Sequence, residues 1–167
     1  MLCKILGTLA LLCAGGYVSL SVNRYEHRRL AVLDGYIALI YYIKGQIDCY
    51  AMPLADILTR ADPTLIAACL GGDSPALPPS PGEGGAYLPA LLRESRLYLT
   101  PECERLLRGF SGELGTTYRA EQVARCEHYL AVLTHERSRL SDAIPARLRT
   151  CGTLCICCAV ALSLLLW

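Results

Sequence analysis

Ile5-Leu6-Gly7-Thr8-Leu9-Ala10-Leu11-Leu12-Cys13-Ala14-Gly15-Gly16-Tyr17-Val18-Ser19-Leu20-Ser21-Val22 contains no charged residue. Neither does Cys151 to Trp167, which ends Ala159-Val160-Ala161-Leu162-Ser163-Leu164-Leu165-Leu166-Trp167. Each run matches the roughly 17–25 residues with which a helix crosses about 30 Å of hydrocarbon. All fifteen acidic residues and fifteen of the sixteen basic ones lie between the runs, with Lys4 alone outside. A helix that is apolar all round belongs inside a large protein or in a membrane, and the middle of this chain is too short to wrap two. The expectation is an N-terminal transmembrane helix in residues 1–22, a C-terminal one in 151–167, and a domain in 23–150 between them.

The flanking charges orient this arrangement. Arg24, Arg28 and Arg29 follow the first run, and Arg147 and Arg149 precede the second. Lysine and arginine near span ends stay on the cytoplasmic side, which predicts a cytoplasmic middle and two termini on the opposite side. The competing reading of the N-terminus is a cleaved signal peptide, with Lys4 as its positive region, Leu9 to Leu12 as its core and cleavage near Ala14-Gly15. Against it, apolar character continues to Val22, and the three arginines beyond would resist translocation.

The chain has 167 residues, one domain's worth; 53% are apolar and 19% charged. Such a composition is not that of a disordered chain. With 16 basic against 15 acidic residues, it lacks the cationic excess needed to neutralise nucleic-acid phosphates, so no nucleic-acid partner is expected.

Ten cysteines invite a metal or disulfide reading. Six of them (Cys3, Cys13, Cys151, Cys155, Cys157 and Cys158) lie in or beside the apolar runs. The others, Cys49, Cys69, Cys103 and Cys126, form no C-x-x-C pair. Cys155 and Cys158 have a zinc-like spacing but no histidine nearby. Cys151, Cys155, Ala159 and Ser163 fall on one helix face as a small-residue ridge of the kind that lets membrane helices approach; Ala10 with Ala14, and Gly15 with Ser19, offer a matching seam. His27 sits among arginines. His128 and His135 are expected to share a solvated face with Glu121. Cys126 beside His128 is the weak alternative for a small membrane enzyme, since the pair lacks an orienting partner. Gly82 to Gly85 follows Pro78-Pro79-Ser80-Pro81 and reads as a linker. No catalytic, cofactor-binding or metal-binding residues are expected, and no cofactor.

Between the runs the pattern is helical, and the fold class expected is all-α, a helical bundle. Leu30, Leu33, Ile37, Ile40, Ile43 and Ile47 are three and four apart, a long amphipathic helix continuous with the first run. Pro53 starts a short helix through Leu54, Ile57 and Leu58. Asp62-Pro63 caps another, through Leu65, Ile66, Cys69 and Leu70, and Gly71-Gly72 ends it. Residues 72–86 form a flexible, breaker-rich loop. A further helix carries Leu88, Leu91, Leu92 and Leu97. Thr100-Pro101 starts the next, with Glu102 and Glu104 in its first turn and Gly112 or Gly115 at its close. The last begins near Thr117, with Val123, Cys126, Leu130, Leu133, Leu140 and Ile144 inward, and Pro145 is placed to bend it. Since both spans enter one leaflet, the first and last long helices should pack antiparallel.

Over essentially its whole length the chain resembles the stage III sporulation protein AB family of endospore-forming bacteria. The similarity is carried by Met1-Leu2-Cys3-Lys4-Ile5-Leu6-Gly7, by Arg24-Tyr25-Glu26-His27-Arg28-Arg29-Leu30, and by Tyr42-Ile43-Lys44-Gly45-Gln46-Ile47-Asp48-Cys49-Tyr50-Ala51-Met52-Pro53-Leu54 with Asp56-Ile57-Leu58. Leu114-Gly115-Thr116, Gln122, Cys126 and the leucine-rich end follow in order. None is a catalytic motif. The resemblance implies a subunit of the mother-cell stage III A complex in the membrane around the forespore. Family members look like the cytoplasmic helical modules of type II secretion and type IV pilus platform proteins. By that analogy the partners are the membrane, a cytoplasmic secretion-type ATPase (the stage III AA type) and the other stage III A membrane subunits. The Pro/Gly-rich residues 72–86 and the cysteine-rich second run depart from the family pattern. The reading set against it is a secreted, C-terminally anchored binding domain whose four central cysteines could pair.

Overall fold

The computed structural model describes residues 2–50, 54–72 and 87–166. Pro53 and the expected loop beyond Gly72 therefore lie outside the described residues. Six helices occur among them: α1 (Leu2–Tyr50), α2 (Leu54–Thr59), α3 (Pro63–Cys69), α4 (Tyr87–Ser95), α5 (Pro101–Glu113) and α6 (Arg119–Leu166). No strand occurs among the described residues, and the protein is all-α as its hydrophobic spacing predicts.

Helix boundaries follow local chemistry. The Asp62 carboxylate accepts from the Thr64 amide at 2.8 Å, with Pro63 in the first turn where no partner is needed for its missing N–H. Gly71 and Gly72 close α3 at φ +81° and +80°, a left-handed conformation that costs glycine nothing. Thr100 Oγ1 accepts from the Cys103 amide at 3.1 Å to start α5. Gly115, at φ +84°, follows the end of α5, whereas Gly112 stays within the helix. Two expectations shift: α4 ends at Ser95, which leaves Leu97 beyond it and 78% exposed, and α6 begins at Arg119 and runs through Pro145 as one helix.

The chain divides into two compact units, residues 1–27 with 139–167, and residues 28–138. In the second, α1 supplies the centre of the core. Leu33, Ile40, Ile43 and Ile47 are buried as the spacing predicts, with Tyr36 on the same stripe; Val32 and Leu39, beyond its edge, are buried too, because the packed face of α1 is wider than one stripe. Gly35 meets α3 backbone to backbone: a Cβ there would lie 2.6 Å from the Ala68 carbonyl carbon. The buried Tyr36 hydroxyl and Ser95 Oγ are 2.6 Å apart, joining α1 to α4. Phe110 of α5 packs edge-on against Tyr129 of α6, with ring centroids 5.3 Å apart.

Within this unit α1 and α6 run antiparallel. Asp34 takes a two-pronged contact from Arg137 at 2.9 and 3.2 Å, Lys44 meets Glu127 at 2.6 Å, and Arg119 bonds to the Asp48 carbonyl and lies 3.5 Å from its carboxylate. Residue numbers rise along α1 as they fall along α6.

In the first unit the two helices are antiparallel as well. A Cβ on Gly15 would stand 3.8 Å from Cys155 Cβ, with Ser19 and Cys151 half-buried. That is the expected small-residue seam, although Ala14 is exposed, off the seam, because it lies about 100° around the helix from Gly15. The side chains of Ala10, Ala159 and Ser163 lie outside the described residues. Glu26 is buried, 3.4 Å from Arg147. Among the described residues one helix, α1 over Cys13–Tyr50, is long and apolar enough to cross a membrane.

Candidate functional site

Reactive side chains do not converge. Cys69, Cys103 and Cys126 are free thiols at 0%, 1% and 0% exposure. Burial pushes Cys69 up to about 12 and Cys126 up to about 11, and raises Cys103. A thiol held protonated is a poor nucleophile and a poor metal ligand at neutral pH. Cys126 and His128, two residues apart, sit about 200° apart around α6: the thiol faces the core and the exposed imidazole lies against the Tyr129 ring at 5.7 Å. His135 and Glu121 are exposed with it, a solvated face as the spacing predicts. Among the described residues, no group of three or more His, Cys, Asp or Glu side chains gathers to hold a metal ion.

Two clefts among the described residues are small. One between α5 and α6, lined by Phe110, Glu113, Leu114, Gln122, Arg125 and Tyr129, has about 10 Å³ of free volume, room for roughly one water. An open depression of about 210 Å³ lies on α5 beside Pro101, Glu104, Arg105 and Arg108. Both fall short of the roughly 300 Å³ at which small-molecule pockets begin.

What the 28–138 unit does present is a tyrosine-bearing end where α1 finishes and α6 begins. Tyr50 is 67% exposed and Tyr118 90%, with Tyr41 at 69% further back along α1. Tyr50 follows Asp48 by two residues and Tyr118 immediately precedes Arg119, so the Asp48–Arg119 ion pair ties α1 to α6 at the end that carries both tyrosines. Glu113 and Glu121, each bound to Arg125 at 3.2 and 2.7 Å, add charge nearby. Exposed tyrosines bordered by paired charges have the chemistry of a protein-binding surface, a large apolar ring with a polar tip. The apolar spacing that locates the core passes over these residues. The available signal was compositional, ten tyrosines against one phenylalanine and one tryptophan.

No known protein family matches the chain, and neither a curated protein nor a solved structure matches it at a significant level.

Proposed function

We propose that the chain is a non-enzymatic, two-pass membrane subunit of the stage III A sporulation complex. In this reading residues 23–150 form a cytoplasmic helical bundle that docks a secretion-type ATPase of the stage III AA class. The observation that carries it is the continuity of α1 and α6. Each is a single helix of 49 or 48 residues that begins or ends in an uncharged run and contributes to the packed 28–138 unit. An element anchored in lipid and rooted in a helical head suits an adaptor between a membrane complex and a soluble motor. The resemblance to the sporulation family, carried in order from Met1 to the leucine-rich end, is what suggests this complex. The Tyr50–Tyr118 end is the surface assigned to the motor.

The test is co-purification. A tagged full chain should bring down the AA-type ATPase from sporulating cells, and deletion of residues 23–150 should abolish capture. Tyr50→Ala with Tyr118→Ala should weaken it about tenfold or more, the usual effect of removing central aromatic contacts. Absence of the ATPase from the wild-type capture overturns the assignment. Orientation is read separately on Cys49, which is free and exposed. In a chain carrying only this exposed thiol, an impermeant reagent should leave it unlabelled in intact cells. Labelling there would favour the secreted, C-terminally anchored domain instead.

A further inference from the structure

In the unit formed by residues 1–27 and 139–167, one contact sets the register of the two helices. Glu26 of α1 is buried, and its carboxylate lies 3.4 Å from the Arg147 guanidinium of α6. Because the helices are antiparallel, two residues back along α1 and two residues on along α6 reach the same level, about 3 Å from that contact. Those residues are Arg24 and Arg149, both exposed. Each also stands two residues from its uncharged run, which ends at Val22 in α1 and begins at Cys151 in α6. Two residues turn a helix through about 200°, so each arginine lies on the side of its own helix away from the seam. Their guanidinium groups make no ion pair among the described residues.

Few other charges share this level. Arg147 is engaged with Glu26 and its side chain is 53% exposed; His27 is exposed beside it. Asp142 is five residues before Arg147, about 7.5 Å further from the uncharged run, with Arg139 three residues before it. Lys4 lies twenty residues away along α1, about 30 Å, at the other end of the first run. Residues 23–27 and 147–150 therefore hold three arginines and one glutamate, and that glutamate is turned inward.

We propose that Arg24 and Arg149 each bind the phosphate of an anionic phospholipid, so that the helix pair carries bound lipid on two opposite sides at its charged end. The proposal rests on the reading that both uncharged runs lie in lipid. An arginine at the end of such a run lays its stem along the apolar layer and keeps its guanidinium among the headgroups, where an anionic leaflet favours it. The two guanidinium groups diverge, so no one soluble anion could bridge them, and each faces what surrounds the helix pair.

The test uses the full chain in phosphatidylcholine bilayers at low ionic strength, with a trace of phosphatidylcholine or phosphatidylglycerol spin-labelled near the end of an acyl chain. The motionally restricted part of the spectrum reports lipid in contact with protein. It should be larger for labelled phosphatidylglycerol, each arginine favouring its own lipid by about fivefold, and about 0.5 M sodium chloride should remove most of the difference. Arg24→Gln with Arg149→Gln should bring the two lipids close to equality, whereas Arg24→Lys with Arg149→Lys should preserve the preference. Arg60→Gln with Arg93→Gln, at exposed positions of the 28–138 unit, should leave it unchanged. No preference in the wild-type chain, one that survives the first pair, or one lost with the lysine or the last pair overturns the proposal. So does a preference abolished by inorganic phosphate but not by chloride of equal ionic strength, which would make the arginines sites for soluble anions. The restricted fraction of phosphatidylcholine separates the two levels. Present without preference, it refutes the headgroup contact and leaves the anchored reading standing; absent with both lipids, it refutes both.

Discussion

At Gly35, α1 meets the α3 backbone with no room for a side chain. With the Ala68 carbonyl carbon 2.6 Å and the Cys69 amide nitrogen 2.7 Å from a would-be Cβ, Gly35→Ala must push two backbones apart. It should lower stability by about 1–3 kcal/mol, the range for overpacking, as measured by denaturant unfolding of the full chain in detergent. Tyr36→Phe should cost less, about 1 kcal/mol, because Ser95 Oγ keeps its bond to the Leu91 carbonyl at 3.0 Å. The buried thiols give a pH dependence. Folding raises Cys69 and Cys126 from about 9 to about 12 and about 11, so the unfolded chain loses these protons first. Their contribution is complete below about pH 9 and is lost as pH rises through 11–12. Melting temperature should therefore fall between pH 8 and 10.5, and less so in a Cys69→Ala, Cys126→Ala chain relative to its own value at pH 8. Little at this scale could be read from the sequence. Gly35 gives no local signal because its constraint comes from a helix some thirty residues away, and Val32 and Leu39 lie beyond one edge of the three-four stripe, where α1 is also packed.

Helix starts and stops were much more legible, since caps act within four residues. Asp62-Pro63, Thr100-Pro101, the Gly71-Gly72 pair and Gly115 all do what their chemistry predicts. Thr100→Ala removes the acceptor for the Cys103 amide and should destabilise the protein by about 1 kcal/mol, measurable by the same unfolding titration. Spacing alone places Leu97 in α4, but the helix ends at Ser95, whose hydroxyl turns back onto the Leu91 and Leu92 carbonyls. Glu136 is buried on α6 near Cys103 and gives no sequence signal, because apolar periodicity does not mark charged positions. The pairing of α1 with α6 was expected from topology, but its register was not, since it depends on Asp34–Arg137, Lys44–Glu127 and Asp48–Arg119 meeting across about 70 to 100 residues. Asp34→Arg should weaken this pairing modestly, by about 0.5 kcal/mol for an exposed pair. Arg137→Asp added to it should restore part of the loss, a double-mutant comparison that isolates the contact.

For the whole molecule, the proposed two-pass arrangement predicts that a tag at Trp167 is found on the opposite side of the membrane from a tag in the 28–138 unit, as measured by protease protection in oriented vesicles. The all-helical class was legible from spacing and uncharged runs. The candidate docking end was not, because it depends on two tyrosines 68 residues apart in sequence lying at the same end of a helical unit. The two long helices also differ in one respect. α1 has no proline in its 49 residues, whereas α6 carries Pro145, whose ring has no N–H to return to the Ser141 carbonyl. One rung of the helical ladder is therefore missing from α6 alone. Amide exchange should be fastest in the turn around residues 141–149, and Pro145→Ala should slow it. A bending load applied along the pair would be taken up at that soft turn, with α1 behaving as the strut and α6 as the leg that yields.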